Sequence, residues 1–403
     1  MLTRIAIAPS GFKESLSAHA AAEAIAAGVR RVVPAAAIDL IPLVDGGEGT
    51  AAALAAASPG GRLVHTTATG PVGHPVDTHY ALLGPVPDVA GQTPLPTQAP
   101  GPDTAVVEMA AVAGLSLVPP TLRDPGATTT YGVGQLIRAA LDDGVRRILV
   151  GCGDSGTSDG GAGALQALGA RLLDADGREL PYGGSALRAL HRIDTSGLDP
   201  RLKDTELKVA CNPFNILCGE RGVARVFGPQ KGATPRQVEE LSEAMDRWAS
   251  ALERDLPCDL DLREGPGTGA SGGLGAGLAA LGARLLPRFE VLLDHLDLDA
   301  RLARADLVVT AEGALDHQSP RGKVPAEVAR RAKLADRPVL VLAGTIGEGA
   351  HHIHASGVDA YSSILPAPVS LPEALGRGAE FLTDATERAL RMVVLGAQLR
   401  AAA

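Results

Sequence analysis

Aromatic residues are scarce: one Trp, four Tyr and five Phe in 403 residues. That scarcity argues against the stacking platforms that hold single-stranded nucleic acid, and it leaves the core to be built from Ala, Leu and Val. Positive charge is not in excess either. With 37 Lys and Arg against 46 Asp and Glu, and a net charge of −9, the chain lacks the basic footprint that nucleic acid or an anionic membrane requires. An anionic substrate would have to be held by local cations and backbone N–H groups. No apolar run approaches the ~18 residues of a membrane span, and the opening MLTRIAIAPSG has no extended apolar region of the signal-peptide kind. Cysteine is limited to Cys152, Cys211, Cys218 and Cys258, and the nearest pair lacks the spacing of a zinc knuckle. Cysteine at the end of an apolar run is normally a small buried hydrophobe. The expectation is a cytoplasmic protein with reduced thiols.

The commonest nucleotide and hydrolase signatures are missing too. There is no G-x-x-x-x-G-K-[ST], and no G-x-G-x-x-G opens a helix after the first strand. No H-E-x-x-H occurs, and the adjacent His351 and His352 would point different ways on a helix. Gly153-Asp154-Ser155-Gly156 does not have the G-x-S-x-G spacing of a nucleophile elbow.

What is present is an ordered, core-forming chain, 45% hydrophobic and 21% charged, long enough for two or three domains. Short aliphatic runs bounded by Gly, Pro and Asp read as strands: Ile5–Ala8, Ile38–Leu43, Ala105–Val107, Arg147–Val150, Leu207–Ala210, Leu307–Thr310 and Val339–Ala343. Amphipathic stretches lie between them at Ala18–Val32, Gly132–Leu141, Ala162–Leu168, Pro235–Leu252, Pro325–Ala332 and Pro372–Leu399, and Leu278–Leu286 is helical in pattern. The alternation predicts an α/β fold with mainly parallel sheets, whose ligands collect beyond the carboxyl ends of the strands. Gly84–Asp103 is Pro-rich and nearly uncharged, and reads as an excursion in a surface hairpin.

Six segments mix glycine with groups that can do chemistry. Pro9–Ser17 carries Lys13, a point charge for phosphate in a strand-to-helix turn. Asp45-Gly46-Gly47-Glu48-Gly49-Thr50 combines carboxylates for Mg²⁺ or a hydroxyl with glycines that let the backbone approach closely. Gly151–Gly163 offers N–H donors, hydroxyls and two carboxylates in one loop, which suits an anion and its metal. Phe227–Thr234 places Lys231 in a turn before a helix, with Thr234 as N-cap and Pro235 at the first helical position. Gly265–Gly277 is a glycine-rich loop feeding a helix. Glu312–Gln318 with Arg321-Gly322-Lys323 puts two carboxylates and two cations into twelve residues, the materials of phosphoryl transfer.

At these segments the sequence resembles the bacterial glycerate kinases of the glycerate 2-kinase type. The likeness runs nearly end to end through APSGFKESLSA, VDGGEGT, DPGATTTYGVGQLI, GCGDSGTSDGGAGALQALGA, VFGPQKGAT, GPGTGASGGLGAGL and AEGALDHQSPRGKVP. It differs at Ser10, Asp154, Asn212 and Ala314. The gain of Asp154 against the loss of an Asp at Ser10 and at Asn212 reads either as a compensating rearrangement or as a changed acceptor. The resemblance implies two α/β domains: a discontinuous Rossmann/flavodoxin-like domain at 1–59 plus 289–403, and an inserted one at 60–288. ATP, Mg²⁺ and a small hydroxy acid would meet in the cleft between them.

The activity implied is ATP-dependent phosphorylation of D-glycerate, 2-phosphoglycerate being favoured. Alternatives are a kinase for another small polyol or hydroxy acid, or a non-catalytic small-molecule-binding regulator on the same fold. A homodimer is left open, and neither nucleic acid nor membrane is expected as a partner. Asp316, Lys13, Glu312 and Lys323 are the expected catalytic residues, with Asp316 accepting or orienting the hydroxyl proton. Ser155, Gly156, Thr157, Lys231, Gly272 and Gly273 are expected to bind the nucleotide, and Asp45 and Asp159 the metal.

Overall fold

The computed structural model describes residues 2–12, 15–84, 103–292, 297–317, 319–320 and 322–402. Lys13, Gln318, Arg321 and nearly all of the Pro-rich stretch fall outside these residues. In chain order the strands are β1 (Arg4–Ile7), β2 (Ala37–Leu40), β3 (Arg62–Thr69), β4 (Pro75–Leu83), β5 (Thr104–Glu108), β6 (Arg147–Gly151), β7 (Arg171–Leu173), β8 (Arg192–Asp194), β9 (Glu206–Cys211), β10 (Arg284–Pro287), β11 (Leu307–Leu315), β12 (Val339–Ile346) and β13 (Ala360–Ser363). The chain forms two compact units, Met1–Val44 with Leu293–Ala403, and Asp45–Leu292.

The first unit carries a five-stranded sheet in the order β13-β12-β11-β1-β2 with every pairing parallel. Buried strands of this kind are runs of aliphatic residues on both faces: Ile5, Ile7, Leu307, Val309, Leu340 and Leu342 supply one face, and the alternating Ala6, Val308 and Val341 the other. The helices Ala18–Val32 and Gly378–Ala402 cover one face and pack on each other. Ser17 caps the first of these, accepting from the Ala20 N–H. The crossing is close because Gly28 faces Thr383 and Thr386; a Cβ there would stand 2.5 Å from the Thr383 oxygen. The chain leaves β1 toward β2 on one side and returns as β11 on the other, so the β1/β11 boundary is the topological switch point where such sheets bind ligands.

The second unit carries a six-stranded sheet in the order β10-β9-β6-β5-β4-β3. Four strands are parallel, and β4 and β3 extend the edge antiparallel. Leu83 pairs with Thr104, so the Pro-rich stretch joins two antiparallel neighbours. Trp248, from the helix Pro235–Asp255, is wholly buried in a second cluster with Leu165, Leu172, Met245 and Leu262. That helix opens on the Thr234–Gln237 capping box with Pro235 in its first turn.

Four expectations are corrected. The segment 45–59 packs with the second unit, because the helix Thr50–Ala57 rests on β3, β4 and β5. The second unit likewise continues past residue 288, to Leu292. Leu278–Leu286 is not one helix: the chain turns at Gly282 (φ +92°) and Arg284–Pro287 becomes a strand beside β9. The C-terminal helix is broken after Gly376. No helix among the described residues is long and apolar enough to cross a membrane.

Candidate functional site

In the second unit, Asp45–Gly49 lies over the loops that follow β5 and β6. The backbones touch: a Cβ on Gly153 would fall 2.6 Å from the Gly47 Cα. Three flanking side chains hold the segment. Glu108, the last residue of β5, accepts from the Gly49 and Ala51 N–H groups, both at 2.9 Å. It thereby caps the helix Thr50–Ala57, which has no side-chain cap of its own. Asp154 accepts from the Glu48 N–H at 3.4 Å. Arg288 donates to the Asp45 carboxylate at 3.1 Å. Burial pushes Glu108 up to about 7, against the lowering pull of its two backbone hydrogen bonds and with help from the charges of Glu48 and Asp154.

Gly47 lies against the carboxylates of both Asp45 and Asp154. A Cβ there would meet the Asp154 Oδ2 at 2.4 Å and the Asp45 Oδ1 at 3.1 Å. A small hard cation placed here would share these two carboxylates with Arg288 and with the Gly47 and Glu48 N–H groups. Among the described residues no group of three or more His, Cys, Asp or Glu could hold a metal. Phosphate oxygens and water would therefore complete the shell, the usual arrangement for Mg²⁺.

Asp159 is placed differently from the expectation. It is fully buried, and its oxygens accept from the Thr130 N–H and hydroxyl and from the Gly161 and Gly163 N–H groups. These inward hydrogen bonds tie the loop to Thr130. Burial raises the Asp159 pKa, opposed by those hydrogen bonds.

Lys231 is likewise buried rather than displayed, 2% exposed. It donates to the Ser155 hydroxyl at 2.9 Å and to the Thr157 carbonyl at 2.6 Å. Burial brings its pKa down to about 7, with the Asp159 charge pulling the other way. Lys231 thus holds the loop from beneath. The Gly156 N–H is also engaged, donating to the Ala113 carbonyl at 2.9 Å.

Gly272 and Gly273 belong to a turn in which Ser271, Gly272 and Gly273 all have positive φ. Its Gly272 carbonyl accepts from the Gly160 N–H at 2.9 Å. Four non-glycine residues among those described have positive φ, and two of them, Asp154 and Ser271, lie in these facing loops. Strain of this kind gathers at ligand sites. Nearby, the buried hydroxyls of Thr157 and Ser158 have no hydrogen-bond partner, which in a native protein calls for water or a bound polar group. Burial pushes the Cys152 thiol up to about 12, away from the thiolate form that a nucleophile needs.

In the first unit the loops after β1 and β11 come together at the switch point. The Ser10 N–H and hydroxyl both donate to the Ala311 carbonyl, at 2.9 and 3.1 Å. The structure gathers Glu312, Asp316 and Lys323 as the sequence implied, around a residue that sequence reasoning passed over. Buried Ser319 donates to the Glu312 carboxylate at 2.9 Å and accepts from the Asp316 N–H at 3.0 Å and the Lys323 ammonium at 3.2 Å. Lys323 also reaches the Asp316 Oδ1 at 3.3 Å and the Ala314 carbonyl at 3.1 Å. The D-x-x-S spacing was the available signal for Ser319. Glu108 could have been found as a carboxylate closing an apolar strand. Nothing local marks Arg288.

Comparison with known proteins gives the family. The model of the glycerate kinase family matches residues 5–394. The chain is 43% identical to glycerate 2-kinase of Escherichia coli (strain K12), over 93% of this chain and 94% of that protein. It is 44% identical to glycerate kinase of Bacillus subtilis (strain 168), over 94% of each. A crystal structure described as glycerate kinase 2 from Salmonella typhimurium LT2 superposes with a TM-score of 0.77 at 44% identity, covering 99% of this chain and all of that one. With both polar loop systems inside the matched span, the chain belongs to the glycerate kinase family.

Proposed function

We propose that this protein transfers the γ-phosphate of ATP to the 2-hydroxyl of D-glycerate, giving ADP and 2-phosphoglycerate, with Mg²⁺ as the accompanying cation. The observation that carries the reading is the near end-to-end match, at 43–44% identity, to proteins named glycerate 2-kinase and glycerate kinase. In the reaction the hydroxyl oxygen forms a bond to the γ-phosphorus, the bond from that phosphorus to the β–γ bridging oxygen breaks, and ADP leaves. The hydroxyl proton needs an acceptor.

Asp316 is that acceptor in this reading. Lys323 fixes its carboxylate, Ser319 accepts from its backbone N–H, and buried Glu312 fixes Ser319. The facing loops around Thr157–Ser158 and Ser271–Gly273 take the phosphate chain, supported by the two partnerless hydroxyls. Asp45 and Asp154 hold the Mg²⁺, which supplies neutralisation of the phosphate charge. Asp154 takes the metal role expected of Asp159, and Lys231 and Asp159 keep the loop in shape. A cytoplasmic location fits the lack of any membrane-spanning helix among the described residues.

The test is ADP release from ATP/Mg²⁺ with D-glycerate, compared with other hydroxy acids and polyols. D-glycerate should give the highest kcat/KM. A folded protein that releases ADP with none of them contradicts the reading.

A further inference from the structure

A shallow, open-sided cavity of about 390 Å³ in the second unit is lined by Tyr131, Gln166, Glu179, Leu180, Pro181 and Tyr182. The Tyr131 and Tyr182 rings meet with centroids 5.1 Å apart and planes inclined by 45°. That spacing admits no third ring between them, so together they make one bent aromatic wall. The chain has only four tyrosines, and two stand at this one cavity. Tyr182 remains 40% exposed, whereas an aromatic ring serving the core would be covered. The pair presents aromatic surface outside the core, where a flat ligand could stack.

The cavity is tied to the glycine-rich loop after β6. Tyr131 begins the helix Tyr131–Asp142, the crossover from β5 to β6, so it starts on the side of the sheet where the strands end. Thr130, directly before it, is bound to Asp159 of that loop. Gly184, two residues after Tyr182, lies against the same loop: a Cβ there would be 2.1 Å from the Ser158 oxygen. Both tyrosines are therefore anchored within two residues of the loop whose Thr157 and Ser158 hydroxyls lack partners.

Besides the tyrosine hydroxyls, two side chains at the cavity offer acceptors. Glu179 contributes a half-exposed carboxylate, 3.7 Å from the Arg171 guanidinium. The Gln166 amide nitrogen donates to the Leu180 carbonyl at 3.2 Å, which leaves its oxygen to accept. A flat apolar wall beside acceptors suits a planar heterocycle with an exocyclic amine. Resting on the kinase reading above, we infer that this cavity binds the adenine ring of the nucleotide, stacked on Tyr131 and Tyr182 with its amino group toward Glu179 and Gln166. Guanine, which has a carbonyl where adenine has that amine, would set acceptor against acceptor and is disfavoured.

The test is calorimetric titration with adenosine, alongside steady-state kinetics, of the wild type, Tyr182→Ala and Tyr182→Phe. In Tyr182→Ala the adenosine Kd and the KM for ATP should rise about five- to a hundredfold, the range for losing one base–aromatic stack. The KM for D-glycerate should not change, and Tyr182→Phe should keep wild-type affinity. Glu179→Gln should narrow the preference of the enzyme for ATP over GTP. Equal adenosine affinity in the wild type and a Tyr182→Ala variant of unchanged melting temperature overturns the inference. A wild type that binds adenosine through Tyr182 but phosphorylates no acceptor would instead overturn the kinase reading and leave this cavity as a nucleoside site.

Discussion

Asp316 illustrates how little a single side chain does alone. Its carboxylate is held 3.3 Å from the Lys323 ammonium, and Ser319 joins both to Glu312. Removing a positioned general base typically costs about 10²–10⁴-fold in rate. Asp316→Asn should therefore lower kcat by about that factor while leaving the magnesium dependence unchanged. Asp45→Asn and Asp154→Asn should instead raise the Mg²⁺ concentration for half-maximal rate, measured by magnesium titration. If Asp159→Asn, in a variant as stable as the wild type, moves that concentration and the other two do not, the metal cradle is misplaced. Lys231 belongs to stability: Lys231→Ala takes the donor from the buried Thr157 carbonyl and the Ser155 hydroxyl, and leaving a buried polar group unsatisfied costs about 1–3 kcal/mol, so the variant should lose about that much in denaturant unfolding. At this scale the sequence singled out Asp45, Glu312, Asp316 and Lys323 as candidates because each lies in a polar segment that also carries glycine. The burial of Lys231 and Asp159 was not legible. A lysine in a Gly-Pro-Gln-Lys-Gly turn looks solvent-facing until Ser155 and Thr157 are folded over it.

At the scale of elements, two close approaches carry testable weight. In the helix pair Ala18–Val32 and Gly378–Ala402, Gly28→Ala gains ~1 kcal/mol of helix propensity. It also drives a methyl into the Thr383 carbonyl and Thr386, and overpacking costs about 1–3 kcal/mol. The clash should win, and the melting temperature should fall; a rise would mean that the helices separate freely. The helix Thr50–Ala57 depends on Glu108, whose pKa is raised from 4.5 to about 7 by burial. The folded state thus holds this proton more tightly than the unfolded chain. The stabilising contribution is complete below pH 4.5 and is lost as the pH rises through about 7. Relative to Glu108→Gln, the wild type should lose up to about 3 kcal/mol between those limits, read from unfolding free energies across pH; parallel curves for the two proteins would refute it. Helices of strong period, such as Ala18–Val32, were readable to the residue. Arg284–Pro287 was not, because its apolar side chains fit either period and only the turn at Gly282 and the pairing with β9 decide for a strand.

For the whole molecule, the strand–helix alternation and the glycine-rich loops made the α/β class and the family legible. The division at Val44 and Leu292 was less so. The Asp45–Pro59 segment follows β2 directly in the chain, yet it goes with the second unit, because the acidic loop needs Glu108, Asp154 and Arg288 around it. Sequence order cannot reveal that, since all three partners are distant along the chain. The central claim is that this assembly of loops phosphorylates glycerate at the 2-hydroxyl. Phosphorus NMR of the purified protein with ATP, Mg²⁺ and D-glycerate tests it most directly. The account predicts that the γ-phosphate signal is replaced by that of 2-phosphoglycerate, one equivalent for each ADP formed. Transfer to the 3-hydroxyl, or ADP accumulating with inorganic phosphate alone, would contradict it.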